Sequence, residues 1–487
     1  MKKSIKLNAF FMATKTVITL FFPLITFPYI SRVLLVDKIG QYNFSSSIVS
    51  YFVLLADLGI STYAIREGSK IRDNKEKINK LMSELFIINL ASTLISFILL
   101  LVCVSLISKL KAYSVLIFIL SFQLFCTLMG RMWIYNIFED FSFITVTQVL
   151  FQIVSIILMF VFVHKPEDVY YYALISVISS SGSNIICGVH SRKYVNFTKV
   201  SIIDLKKHLK PILIIFSTSI ATTIYVNSDM TILGWIVDDR SVGLYSTAVK
   251  IYNMIKQVLV AIITVTIPRL TLLTSDTQKF KKFFTRAFNM LFFMSLPTMF
   301  GIICMSKNII YIISSKQYLE ATLSLQILGV AMVFALLACI LGLGVLLPYN
   351  QEKKFLNATI VSALVNIIFN FILIPNFKQD AAAFTTALSQ AVAFGICWKN
   401  SKKYVDMQNS LKSSIQVLFG CFGILIVCLI IKSMHLDIVL ETFLSVLFSI
   451  IVYVLIEIFL KNRTIYELLN SIFREVRRKL NRFVRYC

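Results

Sequence analysis

The chain has 487 residues, of which 57% are hydrophobic and only 15% charged, against about 25% charged in a typical soluble domain. With a mean hydropathy of +0.81, these proportions exclude a soluble enzyme and define an all-α polytopic membrane protein. The net charge of +24 therefore bears on membrane orientation, not on nucleic acid, and no polar stretch is long enough for an extramembrane catalytic domain.

About fourteen apolar spans follow one another. The first, 8–34, follows a short basic start with no small-residue cleavage site, so it reads as an uncleaved helix. It carries Lys15, Thr19 and Thr26, while Pro23 and Pro28 bend it and free carbonyls. In the second, 41–65, Asn43, Ser47, Ser50 and Asp57 fall at i, i+4, i+7 and i+14, one stripe of a helix. Spans 84–107, 113–136, 143–163 and 169–189 complete the first six, and Arg32 and Arg131 sit near span ends. The seventh, 211–235, places Thr218, Thr222, Tyr225 and Asp229 at i, i+4, i+7 and i+11. The eighth, 244–268, repeats that spacing with Ser246, Lys250, Asn253 and Gln257, and Lys256 falls close to its middle. Six more spans follow: 287–313, 321–347, 355–375, 381–398, 413–432 and 438–460.

The chain also repeats itself. Ile39-Gly40-Gln41-Tyr42 after span one matches Val242-Gly243-Leu244-Tyr245 after span seven at an offset of 203. Asp168 opens span six and Asp380 opens span twelve, an offset of 212. We expect two six-helix lobes, 1–207 and 208–400, related by a pseudo-two-fold axis along the membrane normal. Accessory helices at 401–460 and a tail at 461–487 would follow. From Thr464 that tail alternates apolar and basic residues as an amphipathic helix on an anionic leaflet would.

Placing both termini in the cytoplasm gives 34 Lys and Arg on that side against 9 outside, the bias expected of a plasma (inner) membrane protein. Eight of the nine cysteines lie in spans and read as small buried hydrophobes. The four histidines share no ligand spacing, so neither metal nor cofactor is expected.

Four polar stripes, one pair of helices at the start of each lobe, imply a water-accessible cavity; helix-to-helix hydrogen bonding is the simpler account of single hydroxyls. Lys15 and Asp57 each lie roughly 10–12 Å from the inner end of their spans. Asp229 and Lys250 match in depth near the outer end. These pairs read either as static salt bridges or as gates or ligand contacts used in turn, with Asp57 and Asp229 the candidates for ion coupling or gating. Five intramembrane cations, Lys15, Arg32, Arg131, Lys250 and Lys256, outnumber the two central carboxylates. An unpaired central charge costs about 2.5–3.5 kcal/mol, so surplus cations fit a visiting anion such as a phosphate.

The segments Phe22-Pro-Leu-Ile-Thr-Phe-Pro-Tyr-Ile-Ser-Arg-Val-Leu and Ala56-Asp-Leu-Gly-Ile-Ser-Thr-Tyr-Ala-Ile-Arg-Glu resemble the opening of Wzx-type polysaccharide flippases. Trp133 with Glu139-Asp140-Phe141, Val242 to Ile251, and Asn366 to Pro375 resemble later motifs of that family, whereas Asp380-Ala-Ala-Ala departs from its usual Gly-Ala-Ala. The resemblance implies the multidrug/oligosaccharidyl-lipid/polysaccharide exporter fold and alternating access. It also implies a polyprenyl-pyrophosphate-linked oligosaccharide substrate, commonly on undecaprenol. Lys15, Arg32, Arg131, Lys250 and Lys256 would then hold phosphates. Asn43, Ser47, Ser50, Thr222, Tyr225, Asn253 and Gln257 would face sugar. Partners would be that lipid-linked glycan, membrane lipids and polysaccharide-assembly proteins. A drug or cation antiporter of the same superfamily should have more carboxylates than cations. A membrane polymerase or glycosyltransferase would need a large outer loop, and the expected outer loops are short.

Overall fold

The computed structural model describes residues 5–199, 202–405, 408–468 and 470; of the basic tail expected at 461–487, residues 469 and 471–487 lie outside them. Every regular element among the described residues is helical: α1 (Ile5–Asp57), α2 (Ile60–Ile71), α3 (Lys75–Leu106), α4 (Ser108–Lys111), α5 (Ser114–Gly130), α6 (Met132–Ile137), α7 (Phe141–Phe162), α8 (Val169–His190), α9 (Ile202–Ile236), α10 (Asp239–Leu272), α11 (Thr277–Ile313), α12 (Thr322–Leu341), α13 (Glu352–Ser401), α14 (Gln408–Ser433) and α15 (Ile438–Phe459). Among the described residues, ten helices are long and apolar enough to cross a bilayer, or eleven when the bent pair in α9 counts as one span. The all-α, multi-pass membrane class read from composition is the class observed.

Two of these helices are too long for one crossing, since about 20 residues suffice. α1 leaves helical geometry at Leu35 (φ 65°), and the 50-residue α13 does so at Lys378 (φ 49°). α9 bends by 52° between Asp204–Ser217 and Thr222–Ile236.

The chain forms two compact units, Met1–Ser246 and Thr247–Cys487. Within the first unit, α9 and the start of α10 pack directly on α1. A Cβ on Gly234 would lie 2.2 Å from the Phe44 ring, so no larger residue fits there. α3 joins α1 by small polar residues: Asn89 and Ser92 donate to the Ala56 carbonyl, at 2.8 and 2.6 Å, and Ser96 to that of Phe52 at 2.6 Å. Side-chain donors satisfying backbone carbonyls are how helices associate where lipid removes the hydrophobic drive. The opposite face of α3 shows Leu94, Ile95 and Ile98 outward, a surface suited to acyl chains.

In the second unit, the two halves of α13 are pinned by a buried network. Thr385 donates to Asn370 Oδ1 (2.5 Å) and Asn370 Nδ2 to Asn366 Oδ1 (3.3 Å). That gives Asn366 and Asn370 a packing role. α15 returns to α11 through the Tyr453 hydroxyl, which donates to the Phe293 carbonyl at 2.8 Å.

Candidate functional site

The polar stripe of α1 does not face lipid. Asn43 Nδ2 donates to Ser246 Oγ on α10 (3.0 Å) as well as to its own helix at the Ile39 carbonyl (2.8 Å). One turn on, Ser47 Oγ receives the Thr231 hydroxyl of α9 at 3.0 Å, and Tyr51 OH lies 3.0 Å from the same Thr231 Oγ1. Ser50 donates to the Ser47 carbonyl (2.6 Å). Asp229, buried one turn before Leu233, accepts from the Tyr245 hydroxyl. Tyr51 and Thr231 are absent from the residues singled out in the sequence, and Tyr245 entered there only as the end of the repeated segment. Tyr51 did continue the stripe at i+4 from Ser47, but it sits in a run of apolar residues.

This seam has internal symmetry. A Cβ on Gly40 would lie 1.7 Å from the Asp239 carbonyl oxygen, and a Cβ on Gly243 would lie 2.2 Å from the Val36 carbonyl oxygen. Gly40 and Gly243, like Val36 and Asp239, are 203 positions apart, the offset of the sequence repeat. The contact is therefore isologous, each segment offering the same glycine to the same position of its counterpart. Asn43 and Ser246 are themselves counterparts at that offset and meet each other, as residues on a local two-fold axis do.

Each expected cation has its own surroundings. Lys15 is half-buried in α1, and among the described residues no ion pair joins it to Asp57. Asp57 instead accepts from the Ser61 hydroxyl and from the backbone N–H groups of Gly59 and Ser61. Those bonds satisfy the start of α2, a helix-capping role. Arg32 is exposed. In the second unit, Lys250 and Asn253 are half-buried and Gln257 is exposed, while Lys256 Nζ rests 4.5 Å from the Tyr252 ring centroid. Thr222, exposed, opens the second half of the bent α9, with Tyr225 one turn further on.

Arg131 stands apart from the seam. It links α5 to α6 in a left-handed conformation (φ 44°, ψ 45°), which costs a non-glycine residue about 1–2 kcal/mol. Its guanidinium lies 4.6 Å from the ring centroids of both Phe86 and Phe197.

A second polar cluster, unforeseen from the sequence, ties α9 to α2 and α3. Glu84 is 1% exposed. It accepts from His208 Nε2 (2.6 Å) and Lys207 Nζ (2.9 Å), and Tyr63 OH lies 2.8 Å from His208 Nδ1. A neutral His208 donating from Nε2 and accepting at Nδ1 satisfies all three groups. Lys80 adds an ion pair to Asp204 at 2.9 Å.

An all-helical, multi-pass fold with two-fold-related starts of repeats is the architecture of a membrane transporter. Residues 5–274 match the family of polysaccharide biosynthesis proteins, and the chain belongs to that family. It is 22% identical over 398 residues to a putative O-antigen transporter of Escherichia coli (strain K12), covering 80% of this chain and 95% of that protein. It is 26% identical over 205 residues to the probable low-salt glycan biosynthesis flippase Agl15 of Haloferax volcanii, covering 42% of this chain and 40% of the other. Among solved structures, the lipid II flippase MurJ in an inward-closed conformation superposes with a TM-score of 0.75 at 18% identity, covering 93% of this chain and 99% of that one. An inward-facing multidrug-resistance transporter of the same superfamily superposes at 0.58 and 15% identity, covering 78% and 97%.

Proposed function

We propose that this protein is a flippase that carries a polyprenyl-pyrophosphate-linked oligosaccharide from the cytoplasmic to the outer leaflet by alternating access, for surface polysaccharide assembly. No bond is made or broken, so it is a transporter and not an enzyme. The observation that carries the reading is the excess of intramembrane cations in a member of the polysaccharide biosynthesis family. Lys15 and Lys256 have no carboxylate partner among the described residues, and a diphosphate supplies the missing charge. Relatives described as an O-antigen transporter and a glycan biosynthesis flippase support the substrate class.

In this reading the chain crosses the membrane fourteen times, with α1 and α13 each crossing twice around Leu35 and Lys378, and both termini are cytoplasmic. Lys15, Arg32, Lys250 and Lys256 hold the phosphates. Asn43, Ser47, Ser50, Thr222, Tyr225, Asn253 and Gln257 offer exchangeable hydrogen bonds to sugar, while the polyprenyl tail stays in lipid. Asp229, held by the Tyr245 hydroxyl, is the carboxylate placed to couple an ion; Asp57 keeps its helix-capping role. A drug or cation antiporter of the same fold would need the opposite balance of charge.

The test is single-turnover protection of a fluorescent headgroup in proteoliposomes. The Lys15→Ala/Lys250→Ala double variant should flip at least about 10-fold more slowly than wild type, the loss of about 1.4 kcal/mol of binding. Wild-type rates from that variant would overturn the assignment of these cations.

A further inference from the structure

Arg131 is built into a site that the transport reading does not use. The segment around Asn196 is pinned along α3: its N–H donates to Asn79 Oδ1 at 2.9 Å, and the N–H of Thr198 donates to Ser83 Oγ at 2.8 Å. The pinning sets the Phe197 ring 5.0 Å from that of Phe86, and the Arg131 guanidinium lies within cation–π reach of both. Arg131, Met82, Ile134, Val195, Asn196 and Phe197 line a shallow cleft there. Arg131 Nε is buried with no hydrogen-bond partner, and no carboxylate pairs with the guanidinium among the described residues. Its charged neighbour is Arg192, of the same sign. Two arginines close together without an acid leave a positive field unanswered.

The surroundings say where the missing anion comes from. Phe197 is 52% exposed, and Ile87 and Leu90, next along α3, are exposed apolar residues of a membrane helix. Lys193 and Lys199 are exposed on either side. Aromatic and apolar surface beside clustered basic residues is the composition of a membrane–water boundary. The left-handed backbone at Arg131 is a conformation that persists where surrounding structure enforces it, as at ligand sites.

We propose that this cleft binds the phosphate headgroup of an anionic phospholipid from the adjoining leaflet, with the Arg131 guanidinium as its ligand, Arg192 as a second charge, and Phe197 against the acyl chains. The guanidinium rests against both rings, and its fork of N–H donors matches the oxygens of a phosphate.

The experiment uses the full chain in neutral detergent, with retention of phosphatidylglycerol, phosphatidylcholine or inorganic phosphate followed by native mass spectrometry. Wild type should retain phosphatidylglycerol at least about 5-fold above phosphatidylcholine, a difference of roughly 1 kcal/mol. Arg131→Gly keeps the left-handed turn without steric cost and should abolish the preference. Phe197→Ala, which leaves the charges in place, should reduce it. Arg131→Lys should recover part of it. Unchanged retention in Arg131→Gly overturns the proposal, as does binding of inorganic phosphate at Arg131 with no preference among lipids. Headgroup flipping is scored separately on the Lys15/Lys250 variant, so failure of one reading leaves the other standing.

Discussion

Glu84 shows how a single charged residue can organise the end of a membrane bundle. It sits at the start of α3, fully enclosed, where an unpaired carboxylate would be costly. His208 and Lys207 reach it from α9, 124 and 123 positions away in sequence. Removing the acceptor leaves the buried His208 N–H unsatisfied, at about 1–3 kcal/mol, whereas a half-exposed partner is worth about 1 kcal/mol or less. Glu84→Ala should therefore lower the melting temperature in detergent sharply. Lys207→Ala, whose side chain is 52% exposed, should lower it only slightly. Fluorescence-detected size-exclusion chromatography after heating would rank them, and equal losses would contradict the cluster. No spacing in the sequence points to this cluster. Glu84 looked like the polar edge of a span and His208 like a loop histidine, and only the packing of α9 on α3 brings them together.

At the scale of elements, the seam between α1, α9 and α10 was half legible. Helical spacing exposed the stripe of Asn43 and Ser47, and the repeat exposed the kinship of Gly40 and Gly243. Neither could say that the two glycines meet each other's backbones, because a repeat specifies likeness and not contact. The symmetry of the contact makes it a candidate closure point, since transport by alternating access must open one end of the seam in turn. Asn43→Cys/Ser246→Cys replaces a 3.0 Å hydrogen bond with side chains close enough to cross-link. Oxidation should suppress headgroup flipping at least about 10-fold, or about 1.4 kcal/mol, and reductant should restore it. Free turnover by the cross-linked protein would show that this seam stays closed throughout the cycle. A bulky residue at either glycine should act differently: Gly40→Leu and Gly243→Leu clash with backbone carbonyls and should cut the yield of folded protein before any transport is measured.

For the whole molecule, hydropathy and charge made the membrane class legible because a bilayer leaves few alternatives: apolar helices of span length cannot be arranged otherwise. Two span boundaries were legible as well: the breaks at Leu35 and Lys378 fall in the gaps left between the expected spans 8–34 and 41–65, and 355–375 and 381–398, where Asp37-Lys38 and Lys378-Gln379-Asp380 interrupt the apolar run. Orientation rests on the 34 to 9 distribution of Lys and Arg, and it makes the final prediction. Glu167, between α7 and α8, and Ser275, between α10 and α11, are both exposed, and the charge bias puts them on opposite sides. With native cysteines replaced, Glu167→Cys should react with a membrane-impermeant maleimide in intact cells. Ser275→Cys should react only after permeabilisation. The reverse pattern would invert the topology, and with it the direction of transport proposed above. Equal labelling of both in intact cells would place the two loops on one side, which an odd number of crossings between them forbids.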